Sequence, residues 1–147
     1  MKPRHYSFAS TWRVTAPVAQ AFDAVADLER YAVWWPDVRH VTGIDDDTAR
    51  LAIRATLPYT LHLTLHRTRV DETSRHLLAE IAGDLEGWAS WRLGADRETT
   101  VLRYSQEVVT SEPWMNAIGS LVSPVLRLNH TAMMRRGQVG LARYLSS

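Results

Sequence analysis

The sequence predicts an α+β fold: a seven-stranded antiparallel curved sheet wrapped around one long C-terminal helix, with two short helices between strands 1 and 2. Three observations predict it. Seven segments alternate apolar and polar residues with a period of two, as strands with one covered face do. The last six follow one another through short turns, so neighbours in sequence pair antiparallel. The C-terminal stretch "VLRLNHTAMMRRGQVGLARYL" (125–145) carries apolar residues at helical spacing on a wide face, which suits a helix lying across a curved sheet.

The first strand is "HYSFASTWRV", with Tyr6, Phe8, Ser10, Trp12 and Val14 on one face. In "TAPVAQAFDAVADLERYAVWWP", Thr15 is placed to cap a helix and Pro17 suits its first turn. Val18, Phe22 and Val25 form its apolar stripe, and a second short helix over 28–35 stops before Pro36. The strands "VRHVTGI" and "ARLAIRATL" flank Asp45-Asp46-Asp47, and the latter puts Leu51, Ile53, Ala55 and Leu57 together. "YTLHLTLHR" sets Tyr59, Leu61, Leu63 and Leu65 against Thr60, His62, Thr64 and His66. "RHLLAEIAG", "EGWASWRL" and "TTVLRYSQEVV" complete the sheet, the last with Leu102, Tyr104, Gln106 and Val108 inward. Ser111 is a cap for the long helix, and Ser123-Pro124 kinks or restarts it. Gly137 and Gly140 each cost about 1 kcal/mol of helix propensity relative to Ala, which close approach to a sheet would explain.

At 147 residues the chain reads as a single domain, 1–147. Its net charge is +1 and it has no basic run, which argues against nucleic acid. It has no Cys, so disulfides, thiolate nucleophiles and zinc-thiolate sites are excluded. No apolar run approaches the roughly 18 residues of a membrane span, and "MKPRHYSF" is not a signal peptide. A cytoplasmic protein is expected. The only Lys is Lys2, at the terminus, which argues against a buried Schiff-base lysine.

Local motifs are few. There is no GxSxG, no Gly-rich phosphate loop and no HExxH. His62 and His66 resemble a helical metal pair, but on a strand four residues span about 13 Å, too far for one ion. Asp45-Asp46-Asp47 reads as a turn. No metal and no cofactor are expected.

The order of strand, two helices, six strands and long helix is the helix-grip arrangement. The chain resembles the polyketide cyclase/dehydrase branch of the START-like superfamily, in a subgroup of small bacterial proteins. The resemblance covers nearly the whole chain and is carried by "APVAQAFDAVADLERYAVWWP", "LPYTLHLTLHRTRVD", "GDLEGWASWRL" and "NHTAMMRRGQVGLARYL". It implies an apolar cavity between sheet and helix. It does not imply one function, because the superfamily includes lipid carriers, hormone receptors and aromatase/cyclases. The family pattern also has an Asn-His pair where this chain has Asn129-His130. This chain departs from it at Arg67, where the family usually has an apolar residue.

The candidate site is dispersed. Tyr59, Trp91, Tyr104, Gln106, Asn129 and His130 fall on inward faces, with Phe8, Trp12, Leu102, Met133 and Met134 as apolar wall. An apolar chamber with a few convergent polar groups is a small-molecule pocket; the competing reading is a packed core with each polar tip satisfied internally. His130 fits three roles: a latch to Tyr104 or Gln106, a ligand contact, or an acid-base group. Arg67 either faces the cavity end or is swung outward by a bulge before Val70. Leu121, Val125 and Leu128 form a second apolar stripe. Trp35, Trp114 and Leu121 are placed at the cavity entrance, between the two-helix segment and the start of the long helix.

The leading expectation is a protein, monomer or homodimer, that binds or carries a hydrophobic or aromatic small molecule. An aromatase/cyclase acting through Tyr104, His130 and Arg67 is the enzyme alternative. A protein-interaction module using the exposed Trp and Leu patch is the third.

Overall fold

Alternation builds the sheet. A computed structural model describes residues 4–110 and 113–147, without the side chains of Arg4 and of 113–123. The strands are β1 (Arg4–Val14), β2 (Val38–Asp45), β3 (Thr48–Ile53), β4 (Leu61–Asp71), β5 (His76–Gly83), β6 (Glu86–Asp96) and β7 (Thr99–Thr110). They form one antiparallel sheet in the order β1-β7-β6-β5-β4-β3-β2. β7 returns to pair with β1 along its length, which leaves β1 and β2 as the two edges of the sheet. Between β1 and β2 lie α1 (Val18–Ala26), a 3-10 turn (Leu28–Arg30) and α2 (Tyr31–Trp34). The long helix is α3 (Pro113–Ser146), which runs continuously through Pro124.

Register turns the alternation into rows of inward side chains. Phe8 is opposite Gln106, which is opposite Ala89. In the next inward row Ser10 meets Tyr104 and Tyr104 meets Trp91. In the row after that Trp12 meets Leu102 and Leu102 meets Leu93. Outward faces are largely polar: His62 and His66 are both exposed on β4. The His66 Nδ1 lies 2.7 Å from Thr48 Oγ1 across the strand pair.

Several local expectations are corrected. Pro17, not Thr15, is the N-cap of α1, and it makes no side-chain cap bond. β3 ends at Ile53 and β4 begins at Leu61, so 54–60 is a loop rather than strand. Pro58 has no N–H to give a ladder. The backbone N–H of Arg54 is taken by the Asp37 carbonyl at 2.9 Å, outside the sheet register. Gly137 and Gly140 approach the two-helix segment more than the sheet. A Cβ on Gly140 would lie 1.8 Å from the Trp34 carbonyl oxygen, and one on Gly137 would lie 2.5 Å from the Trp35 ring. The expected cap Ser111 lies outside the described residues.

A buried ion pair fixes the same junction. Asp37, only 2% exposed, follows α2 and accepts from Arg136 of α3 at 2.6, 2.9 and 3.2 Å. The Arg136 guanidinium also reaches Thr56 Oγ1 at 3.3 Å, tying the 54–60 loop to the helix.

Candidate functional site

Two adjoining chambers lie between sheet and helices. The inner one, about 120 Å³, lies against α1 and α2; Tyr31, Trp35 and Trp91 line it together with Leu51, Leu63 and Leu77. The outer one, about 80 Å³, is lined by Tyr6 and Phe8 of β1, Ala55 and Tyr59 of the 54–60 loop, and Leu126 and Asn129 of α3. Gln106 and His130, with the apolar Ile53, Leu61, Leu85 and Met133, line both and form the junction between them.

The junction carries one polar, uncharged cluster. The Tyr104 hydroxyl donates to Gln106 Oε1, and His130 Nε2 lies 3.4 Å from the same oxygen. The His130 ring stacks on Phe8 with centroids 3.8 Å apart. Burial disfavours the imidazolium and pushes the His130 pKa down to about 4. Burial, with a smaller contribution from Tyr31, raises the Tyr104 phenol well above its ordinary value. All three groups are therefore neutral across the physiological range.

Three polar groups frame the chambers. Asn129 Oδ1 accepts the backbone N–H of Thr56 at 2.8 Å and of Leu57 at 3.0 Å, so it latches the 54–60 loop over the outer chamber. Trp35 Nε1 donates to the Met133 carbonyl at 3.0 Å, which locks the indole as inner-chamber wall. Arg67 lines the far end of the inner chamber. Its Nη1 donates to the Ala26 carbonyl at 2.9 Å, at the C-terminal end of α1. Its Nη2 bonds Asp47 Oδ1 at 2.9 Å and also the Asp46 carbonyl. The guanidinium therefore seals that end by joining α1 to the β2–β3 turn. The β4–β5 register does shift between Arg67 and Arg69, the bulge the sequence suggests, but Arg67 stays on the inward side of it.

With this geometry in place, the comparisons with known proteins decide the family. The family described as "Polyketide cyclase / dehydrase and lipid transport" matches residues 5–146. The chain belongs to that family. No curated protein matches it by sequence. Similar solved structures include the Zhui aromatase/cyclase from Streptomyces sp. R1128, at 19% identity and TM-score 0.72, covering 97% of this chain and 95% of that one. A START superfamily protein from Mycobacterium smegmatis has 14% identity and TM-score 0.74, with 97% and 98% covered. A protein from Thermus thermophilus has 13% identity and TM-score 0.75, with 95% and 99% covered. At these identities the likeness carries the helix-grip fold.

Against this START-like fold, the sequence-derived residues divide. Trp91, Tyr104, Gln106, His130 and Met133 line the inner chamber. Phe8, Tyr59 and Asn129 line the outer one. Trp12, Leu102 and Met134 line neither: all are at most 2% exposed and belong to the packed core. Their row lies deeper than the cavity. Trp12 is filled in by the rings of Trp34, Trp35 and Trp91, at centroid distances of 6.2, 5.2 and 4.8 Å. Trp35 is corrected from entrance to interior wall, because α2 packs on the Gly137–Gly140 part of α3 and closes that side. The other two entrance residues, Trp114 and Leu121, lie outside the described side chains. Val125 and Leu128 are exposed, Leu128 to 68%.

Tyr6 is absent from the site that the sequence suggests. It shares the inward phase of Phe8 and lines the outer chamber, yet its buried hydroxyl has no hydrogen-bond partner among the described residues. Alternation puts Tyr6 on the inward face; nothing in the sequence says that its hydroxyl lacks a partner. A buried unpaired hydroxyl costs about 1–3 kcal/mol.

Proposed function

We propose that the chain binds and carries an uncharged apolar or aromatic small molecule in the two chambers between sheet and α3. The observation that carries this reading is the pairing of largely apolar walls with one neutral polar cluster, Tyr104–Gln106–His130, at the junction. Among the described residues, the one charged side chain that reaches the inner chamber wall, Arg67, already has its guanidinium engaged. Burying about 150 Å² of aromatic surface contributes ~4 kcal/mol before ordering costs. Membership of a family described as including lipid transport supports the same reading.

The enzyme reading, an aromatase/cyclase acting on a polyketide-like chain, also has support from the family and from the Streptomyces neighbour. The junction argues against it. Near neutral pH an imidazole with a pKa of about 4 is a weak base, and a phenol raised by burial is a weak acid.

Mass spectrometry of an organic extract from gently purified, then denatured protein tests the proposal. Ala89→Leu, which fills the inner chamber wall, is the control. Expected is a near-stoichiometric uncharged compound from the wild type that the folded variant lacks. A clean wild-type extract, together with no binding across a panel of aromatic and lipid-like compounds, would sink it.

A further inference from the structure

Tyr6 narrows the chemistry of the occupant. It is 6% exposed, lines the outer chamber, and its hydroxyl is without a partner among the described residues. Buried hydroxyls in folded proteins nearly always find one. Trp34 Nε1 is also buried and unpartnered there, but Trp34 lines neither chamber. Arg127 lies over the rings of Tyr6 and Phe8, at 5.7 and 5.8 Å, and lines neither chamber.

The polar groups of the junction are engaged with one another. Gln106 Oε1 accepts from the Tyr104 hydroxyl and lies 3.4 Å from His130 Nε2, so the carboxamide oxygen is engaged by protein groups. The inner chamber differs: it is almost wholly apolar, and its 120 Å³ is near the size of cavity, about 150 Å³, that accepts benzene.

We propose that the occupant is a monocyclic arylalkyl ketone or ester, uncharged, with its ring in the inner chamber and its carbonyl oxygen accepting from the Tyr6 hydroxyl in the outer one. The ligand chain crosses the junction beside Gln106 and the pliable Met133. This inference rests on the cavity reading above and adds a direction and a chemical class to it.

Three probes of nearly equal shape separate the possibilities: 4-phenyl-2-butanone, its hydrocarbon counterpart isopentylbenzene, and the anion 3-phenylpropanoate. Binding is followed by tryptophan emission, since Trp35 and Trp91 line the inner chamber. The ketone is expected to bind about tenfold tighter than the hydrocarbon, and the anion weakest. Tyr6→Phe is expected to abolish the preference for the ketone, leave hydrocarbon binding unchanged, and leave the melting temperature unchanged or higher. Equal binding of ketone and hydrocarbon by the wild type, or a preference that survives Tyr6→Phe, overturns the proposed chemistry while the cavity reading stands. A Tyr6→Phe protein that melts well below wild type also overturns it, because the hydroxyl then has a structural partner. No binding of any probe to the wild type overturns both.

Discussion

His130 links burial to pH. An unfolded chain takes up a proton on this imidazole near pH 6.5, whereas the folded chain does so only near 4. The folded form is therefore penalised as pH falls through that window, and its stability is fully present above pH 6.5. The window corresponds to about 3 kcal/mol. Expected is a fall in unfolding free energy between pH 7 and 4.5, measured by denaturant titration, that His130→Gln removes in large part. Identical pH profiles for the two proteins would show that the imidazole is hydrated in the folded state. Asp37 is the second residue-scale case. Its carboxylate is buried while the Arg136 side chain is 41% exposed, so the pair is screened on one side. Asp37→Ala is expected to cost about 2–3 kcal/mol in denaturant unfolding, below the full cost of breaking a wholly buried pair.

At the scale of elements, α3 does two things at once. Its Gly137 and Gly140 let α2 and the Trp35 ring come close, and this closes the inner chamber. Gly140→Ala drives a Cβ into the Trp34 carbonyl, a backbone atom that cannot rotate away. It is expected to cost about 3 kcal/mol and to lower affinity for any cavity ligand. One helical face further along, Asn129 latches the 54–60 loop. Asn129→Ala is expected to lose about 1 kcal/mol and to release the Thr56 and Leu57 amides to fast hydrogen exchange. Amides in β7 are expected to keep their protection. Uniform loss of protection would mean that Asn129 supports the whole fold and not a local cover.

For the molecule as a whole, periodicity is enough to place the seven strands, both short helices and the long helix in order. Burial of one face per element is a local property, and it survives in the sequence. Depth is not local. Trp12, Leu102 and Met134 have the same inward phase as the chamber residues, but sit where Trp34 and Trp35 fill the space. Trp35 reads as an entrance residue from its place in the two-helix segment, and its bond to the Met133 carbonyl and its packing against Gly137 make it a wall. Asn129 is visible in the sequence as a polar residue at the edge of an apolar stripe. Its partners, Thr56 and Leu57, are 73 and 72 residues away, and no spacing rule connects them. Arg67 stands out as a charge at an apolar position, yet the Ala26, Asp46 and Asp47 acceptors that hold its guanidinium come from other elements.

One measurement bears most directly on whether the chambers hold a ligand. The indole N–H resonances of Trp35, Trp91 and Trp88 are followed by NMR while an uncharged aromatic ketone is added. Trp35 and Trp91 line the inner chamber, whereas Trp88 lies on the outward face of β6 and is 39% exposed. If the chambers are the site, Trp35 and Trp91 shift saturably and Trp88 does not. Movement of Trp88 alone, or of none of the three, would contradict a ligand-binding interior.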